Sequence, residues 1–168
     1  VLNNLYKEVF KEGVDSDVFE LQYRKSFVLN IKKLVKSGRF DKRLLNFDLK
    51  KLSEALVINR DKLIKYLASQ ILCDRYLTKE EGKTMESPQA FWMRVAMGLV
   101  IKEEDKEARA IEFYNLLSQF RYTSSTPTLF NSGTAHSQLS SCYLNTFDDS
   151  IDGIFDGAWQ EARKSKFA

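Results

Sequence analysis

Cysteine and histidine are scarce in this chain, and their scarcity excludes several kinds of protein. The 168 residues contain Cys73, Cys142 and His136 as the sole members of these two types. Two widely separated cysteines cannot form the disulfide scaffold of a small secreted domain, and one histidine leaves no zinc-binding spacing. We therefore expect no metal site, and the low cysteine content favours a reducing, cytoplasmic compartment.

Long apolar runs and a strong net charge are missing as well. No run approaches the ~20 apolar residues that a membrane-spanning helix needs, and no signal-peptide pattern is recognised, so we expect no membrane partner. The formal charge of +3 is too weak to indicate nucleic acid. Basic residues concentrate in 20–43, but such a run is more often a solvated helix face. No recognition motif accompanies it, so no nucleic-acid partner is expected.

Most of the chain has the Lys, Glu and Leu pattern of amphipathic helices. The predicted helices are 1–12, 17–37, 48–56, 60–77, 87–100 and 103–121. Ser87 and Pro88 suit the N-cap and first position of the fifth helix, which is apolar on more than one face and should lie deep. The polar residues 78–87 predict a hairpin or loop. Cys73 lies among apolar residues and is expected to be a small buried side chain.

The pattern changes after residue 122. Residues 125–137 form a loop rich in hydroxyls, followed at 138–147 (QLSSCYLNTF) by the aromatic and β-branched character of a short strand. A helical period then resumes, with Asp149 or Ser150 as the cap. Because a lone strand needs neighbours for its hydrogen bonds, we predict a helical domain at 1–122 and the start of an α/β domain at 123–168. The sequence therefore has the pattern of a fragment.

The hydroxyl-rich loop has the composition of a phosphate-binding site. The candidate ligands are Ser125, Thr126, Thr128, Ser132, Thr134, Ser140 and Ser141. The alternative is that these residues form turns and caps, which composition alone favours. Cys142 also has two interpretations, as a reactive thiol or as a buried structural one. His136 lies six residues away, which is weak support for a catalytic Cys/His pair.

The run STPTLFNSGTAHSQLSSCYL closely resembles the segment leading into the catalytic barrel of the large subunit of ribonucleotide reductase. The resemblance extends upstream through ESPQAFWMRVAMGL and downstream through DDSIDGIFDGAWQEARKSKFA, and covers roughly residues 40–168. It implies a mainly α fold, in which a helical N-terminal domain leads into the first loop-strand-helix unit of a ten-stranded α/β barrel. It also implies an oxidoreductase that converts ribonucleotides to deoxyribonucleotides by radical chemistry.

The resemblance assigns a role to several residues near the C-terminal end. Cys142 matches one of two redox-active cysteines that reduce the ribose and finish each turnover as a disulfide, its partner lying outside this chain. The matched substrate-binding positions are Ser125, Thr126 and Ser141, with Thr126 near the phosphates. The matched positions for the allosteric specificity effector, a dNTP or ATP at the dimer interface, are Asp149, Ser150 and Ile151.

The resemblance also implies partners that complete the enzyme. The radical is expected from a di-metal small subunit or, in the alternative class, from adenosylcobalamin, and neither cofactor is expected to bind these residues. The other expected partners are the remainder of the catalytic subunit, a second large subunit, a thioredoxin- or glutaredoxin-type reductant and the ribonucleotide substrate. Diphosphate and triphosphate substrates both fit the sequence. The fragment is not expected to be active alone.

Two other hypotheses fit parts of the sequence. A helical interaction module could keep the effector and dimer surfaces without catalysis, and it would tolerate replacement of Cys142. A basic helical nucleic-acid binder rests on residues 20–43 alone.

A truncated chain, a split gene and protein splicing each explain an end at Ala168, and the N-terminal region shows no ATP-cone pattern.

Overall fold

A computed structural model describes residues 1–10 and 19–167, and this part of the chain is mainly helical. The α-helices are α1 (Leu2–Val9), α2 (Phe19–Lys36), α3 (Leu49–Glu54), α4 (Tyr66–Ile71), α5 (Pro88–Leu99), α6 (Lys106–Ser118), α7 (Thr126–Asn131) and α8 (Ile151–Phe167). Shorter turns of 3₁₀-helix at Lys42–Asn46 and Ile58–Leu63, and of π-helix at Leu72–Tyr76, lie between them. Strands β1 (Lys79–Glu80) and β2 (Lys83–Thr84) form an antiparallel hairpin.

The helices with the most regular apolar spacing confirm the sequence prediction. α2, α5 and α6 lie where the period predicts them, and the polar stretch 78–87 contains the predicted hairpin. Ser87 occupies the N-cap of α5, followed by Pro88 in the first turn. The first helix ends at Val9, earlier than predicted, because the backbone is extended at Phe10. Residues 11–12 of its predicted range, and the predicted start of the second helix at 17–18, lie outside the described residues.

The prediction of one continuous helix at 60–77 is wrong. The segment is divided into the 3₁₀ turn Ile58–Leu63, helix α4 and the π-helix Leu72–Tyr76. The backbone becomes extended at Ile64, after Asp61 has turned its carboxylate into the core. A regular α-helix through this point would follow the apolar period, which does not account for a buried aspartate.

Helix α5 forms the centre of the core, as its apolar character predicts. Every residue from Pro88 to Met97 is buried, and α6 packs along its length. A helix that is apolar on all faces needs such cover on every side. Cys73 packs against the same core as expected, although it is half-buried rather than fully buried.

The core contains a carboxylate whose hydrogen bonds come from three separate elements. Tyr6 and Tyr23 donate to Asp61 Oδ2 at 2.6 and 2.9 Å, and Gln89 Nε2 donates to Oδ1 at 2.7 Å. Tyr114 then donates to Gln89 Oε1 at 2.7 Å. This network connects α1, α2, α5 and α6 to the 3₁₀ turn, and it satisfies polar groups that would otherwise be costly to bury.

We expect Asp61→Asn to lower the free energy of unfolding by about 1–3 kcal/mol, because the amide N–H₂ replaces an acceptor among donors. Burial raises the pKa of Asp61, although the hydrogen bonds from Tyr6, Gln89 and Tyr23 oppose that rise. A raised pKa in the folded state favours folding of the protonated form. The stability that Asp61 contributes through this pKa shift is therefore fully present below its ordinary pKa of about 4. It is lost as the pH rises through the pKa of Asp61 in the folded state.

Urea unfolding of the parent protein and of Asp61→Asn across this acidic range measures how their difference in stability depends on pH. The stability advantage of the aspartate over the asparagine should shrink as pH rises, and an advantage that grows with pH would contradict the assignment. Asp74→Asn, at an exposed position, is the matched control and should change stability by no more than about 0.5 kcal/mol.

Candidate functional site

A short helix, α7, occupies the first half of the hydroxyl-rich segment 125–137, for which the sequence predicts a loop. Residues Thr126–Asn131 are helical, with Ser125 at the N-cap and Pro127 in the first turn. Proline is tolerated there because the first N–H groups of a helix have no partner within it. The proline that suggests a loop therefore marks the start of a helix.

A buried arginine on α5 fixes the position of α7. Arg94 forms an ion pair with Glu86, in which Nε donates to Oε1 at 2.9 Å and Nη2 to Oε2 at 3.3 Å. Both side chains are almost completely buried. Breaking such a pair leaves an uncompensated buried charge, so neither partner can be removed cheaply.

The third nitrogen of the same guanidinium binds the C-terminal end of α7. Arg94 Nη1 donates to the carbonyl oxygens of Leu129, Phe130 and Ser132 at 3.2, 3.4 and 2.7 Å. These carbonyls belong to the last turn of the helix and the residue after it, which lack helical partners. A cation at this end also interacts favourably with the helix dipole. Arg94 therefore acts as a buried cap that orients α7.

The residues after α7 lie directly against α5. The Ser132 hydroxyl donates to the Val95 carbonyl at 2.7 Å. Gly133 adopts a φ of +76° beside the Arg94 carbonyl, where a Cβ would be 3.0 Å away. The Thr134 hydroxyl donates to the Asn131 carbonyl at 2.8 Å. The hydroxyls of Ser132 and Thr134 are thus used within the protein, in agreement with the turn-and-cap alternative.

The hydroxyls at the start of α7 face the outside of the protein. Ser125 and Thr126 are exposed, and Ser125 Oγ lies 3.1 Å from Thr128 Oγ1. A groove of about 590 Å³ opens beside Ser125 and Thr128, with apolar residues of α6 such as Phe113 and Leu116 on its other wall. A few polar groups at the edge of an apolar groove are typical of ligand sites.

The strand predicted at 138–147 does not form. The segment has no regular secondary structure and no strand partner among residues 1–10 and 19–167, where β1 and β2 pair with each other. The segment consequently has no sheet to pack in, and Leu144 is 99% exposed. Asn131 Nδ2 donates to the Gln138 carbonyl at 2.6 Å, which holds the start of the segment beside α7.

Cys142 lies on this segment with its side chain exposed. Ser141 Oγ lies 4.0 Å from its Sγ, and both residues are accessible. Cys73 differs in that it is half-buried and burial raises the pKa of its thiol, which disfavours the reactive thiolate. Of the two cysteines, Cys142 is therefore the one suited to chemistry with an external group.

The three predicted effector residues lie together at the start of α8. Asp149, Ser150 and Ile151 are all exposed, and Ser150 Oγ accepts the Gly153 N–H at 3.0 Å, which confirms Ser150 as the cap. Ile151 is 74% exposed and begins an apolar stripe. The stripe continues at helical spacing through Ile154, Phe155 and Trp159. Exposed apolar surface of this extent is typical of interfaces.

Arg94, Glu86 and Tyr76 border the site but are not among the residues that sequence reasoning selected. The sequence does contain a signal for Arg94, because an arginine inside a helix that is apolar on more than one face needs a buried partner. Its partner Glu86 lies in the polar connector just before the helix. No comparable signal distinguishes Tyr76 from the other tyrosines of the chain.

Neither a metal centre nor a membrane helix is found in the described part of the chain. No three His, Cys, Asp or Glu side chains among residues 1–10 and 19–167 converge as metal ligands. Within the same ranges, no helix combines the length and apolar character needed to cross a bilayer.

Comparison with known proteins identifies the family. The ribonucleotide reductase all-alpha domain matches residues 62–137. The ribonucleoside-diphosphate reductase subunit alpha of Chlamydia muridarum is 46% identical over the whole chain. The large subunit of Danio rerio is 42% identical over 99% of it, and the large chain of Schizosaccharomyces pombe is 48% identical over 70%.

These matches show that the chain belongs to the ribonucleotide reductase large-subunit family and corresponds to its N-terminal part, which confirms the resemblance seen in the sequence. The chain spans 16% of the Chlamydia muridarum relative and 20% of the Danio rerio relative.

We expect Arg94→Met to lower the free energy of unfolding by about 3–5 kcal/mol, because Glu86 is left as an unpaired buried charge. Urea unfolding followed by circular dichroism measures the loss. The matched control is Arg109→Met, which removes an exposed arginine paired with Glu103 and Glu112 and should cost less than about 1 kcal/mol. Equal, small losses in the two variants would contradict the role of Arg94.

We expect Gly98→Ala to destabilise the protein although alanine is the better helix former. Helix propensity alone predicts a gain of about 1 kcal/mol. A Cβ at Gly98, however, would lie 2.1 Å from the Gly133 nitrogen and 2.3 Å from Ser132 Oγ. Displacing this segment should cost about 1–3 kcal/mol. A raised thermal midpoint would show that α5 and the segment after α7 are not in close contact.

Proposed function

We propose that this chain forms the N-terminal part of the catalytic subunit of a ribonucleoside-diphosphate reductase, and that residues 125–142 contribute one wall of its substrate site. The observation that carries the proposal is the 46% identity to a diphosphate reductase alpha subunit over the whole chain. The anchoring of α7 by Arg94 supports it, because a binding wall needs fixed donors. The rest of the subunit would complete the α/β barrel and give the 138–147 segment its missing strand partners.

The substrate contacts would come from the exposed end of α7 and from the segment beside it. Hydroxyls of Ser125 and Thr126 can donate to phosphate oxygens, with Thr126 nearest the phosphates, and Ser141 can bind the sugar next to Cys142. Arg94 would act indirectly, because it holds the far end of the same helix. The names of the relatives favour a ribonucleoside diphosphate as the substrate.

Cys142 would supply one of the two thiols that reduce the ribose. The 2′-hydroxyl leaves as water and a hydrogen takes its place, while two thiols lose two electrons and two protons and form one disulfide. The second cysteine would come from the part of the subunit outside these residues. A thioredoxin- or glutaredoxin-type protein would return the disulfide to thiols for the next turnover.

The remaining partners follow from the subunit names of the relatives. Names such as subunit alpha and large subunit indicate enzymes of more than one kind of chain, which favours a radical supplied by a di-metal small subunit. They give no support to the adenosylcobalamin alternative or to a module without catalysis. A second large subunit would cover the apolar stripe of α8, and Asp149, Ser150 and Ile151 would contact the dNTP or ATP effector there.

We expect Cys142→Ser in the complete enzyme to abolish multiple turnover with the physiological dithiol reductant, because a hydroxyl cannot form the disulfide. Deoxyribonucleotide formation over time measures this. Cys73→Ser is the matched control, since it removes the half-buried thiol, and it should retain turnover. Normal multiple turnover by Cys142→Ser would overturn the catalytic assignment and favour a binding module.

A further inference from the structure

Tyr76 lies at the end of the π-helix and faces α7. A π-helical turn contains more residues than an α-helical turn, so it changes the direction in which the following side chains point, and such turns are frequent at functional sites. The Tyr76 ring stacks on Phe130 with centroids 4.7 Å apart and planes 13° apart. It also makes a T-shaped contact with Phe91 of the core, with ring centroids 6.3 Å apart. These two aromatic contacts fix the ring and therefore the position of its hydroxyl.

The Tyr76 hydroxyl lies 3.5 Å from Thr126 Oγ1 in an exposed position. This separation is too long for a strong O–H···O hydrogen bond between the two, which is usually 2.5–3.0 Å. It is well suited to two donors that share one acceptor, because an oxygen about 2.7 Å from each hydroxyl fits between them. The two hydroxyls come from elements that are distant in sequence and that Phe130 holds together.

We propose that Tyr76 is a substrate-binding residue, whose phenol donates a hydrogen bond to the same phosphate oxygen that Thr126 binds. The inference rests on the proposed function, in which Thr126 contacts the phosphates of a ribonucleoside diphosphate. Tyr76 adds a neutral donor on a rigid stem, and hydrogen bonds from neutral donors to charged oxygens are among the stronger ones. Because the ring is already held in place, the Tyr76 side chain loses little conformational freedom when the phosphate binds.

The test is Tyr76→Phe in the complete catalytic subunit. This variant keeps the ring and its stacking on Phe130, so the thermal midpoint should be unchanged. The Kd and KM for the ribonucleoside diphosphate should rise about tenfold, with kcat unchanged because ground state and transition state lose the same contact. Tyr66→Phe is the matched control, since it removes a hydroxyl from a side chain that is 70% exposed on α4, and its Kd should equal that of the parent.

Introducing Tyr76→Phe into a Thr126→Ala subunit tests whether Tyr76 contacts the phosphate directly or acts through Thr126. If Tyr76 donates to the phosphate itself, Tyr76→Phe weakens binding further in a Thr126→Ala subunit. No further weakening would mean that Tyr76 acts only through Thr126, which overturns the proposal. If Thr126→Ala raises the Kd but Tyr76→Phe leaves it unchanged, the proposed role of Tyr76 is overturned. The proposed function then still stands. An unchanged Kd in both single variants would remove α7 from the substrate site altogether.

Discussion

The buried ion pair between Arg94 and Glu86 is the interaction on which the arrangement of the site depends. One guanidinium binds a carboxylate and the last carbonyls of α7, and its flat face lies against the rings of Phe40 and Phe91. Glu86 in turn accepts the N–H of Thr78 at the base of the hairpin. A single buried charge pair therefore fixes the helical core, the hairpin and α7 relative to one another, and its desolvation makes any alternative arrangement expensive.

The sequence predicts those parts of the fold in which local pattern and burial agree. The period of α2 and α6, and the Ser87–Pro88 start of α5, are local signals that the core reinforces. The 60–77 segment departs from its period because Asp61 is drawn inward by groups from three distant elements. The propensity of single residues contains no information on such contacts.

The site shows the same division between local and distant causes. Its candidate residues come from the STPTLFN and LSSCYL runs, yet their arrangement depends on residues far away in the sequence. Pro127 suggests a loop but begins a helix, because Arg94 supplies donors at the other end. The 138–147 segment has strand character and no strand partner within the described ranges, since pairing in a sheet is a property of neighbours rather than of one segment.

In the proposed function, Cys142 is a thiol that is oxidised during ribonucleotide reduction. The most direct measurement is peptide mass spectrometry of the complete enzyme after a single turnover without external reductant. We expect Cys142 then to be joined by a disulfide to a cysteine outside residues 1–168. A Cys142 that stays a free thiol after each subunit has formed one deoxyribonucleotide would contradict it.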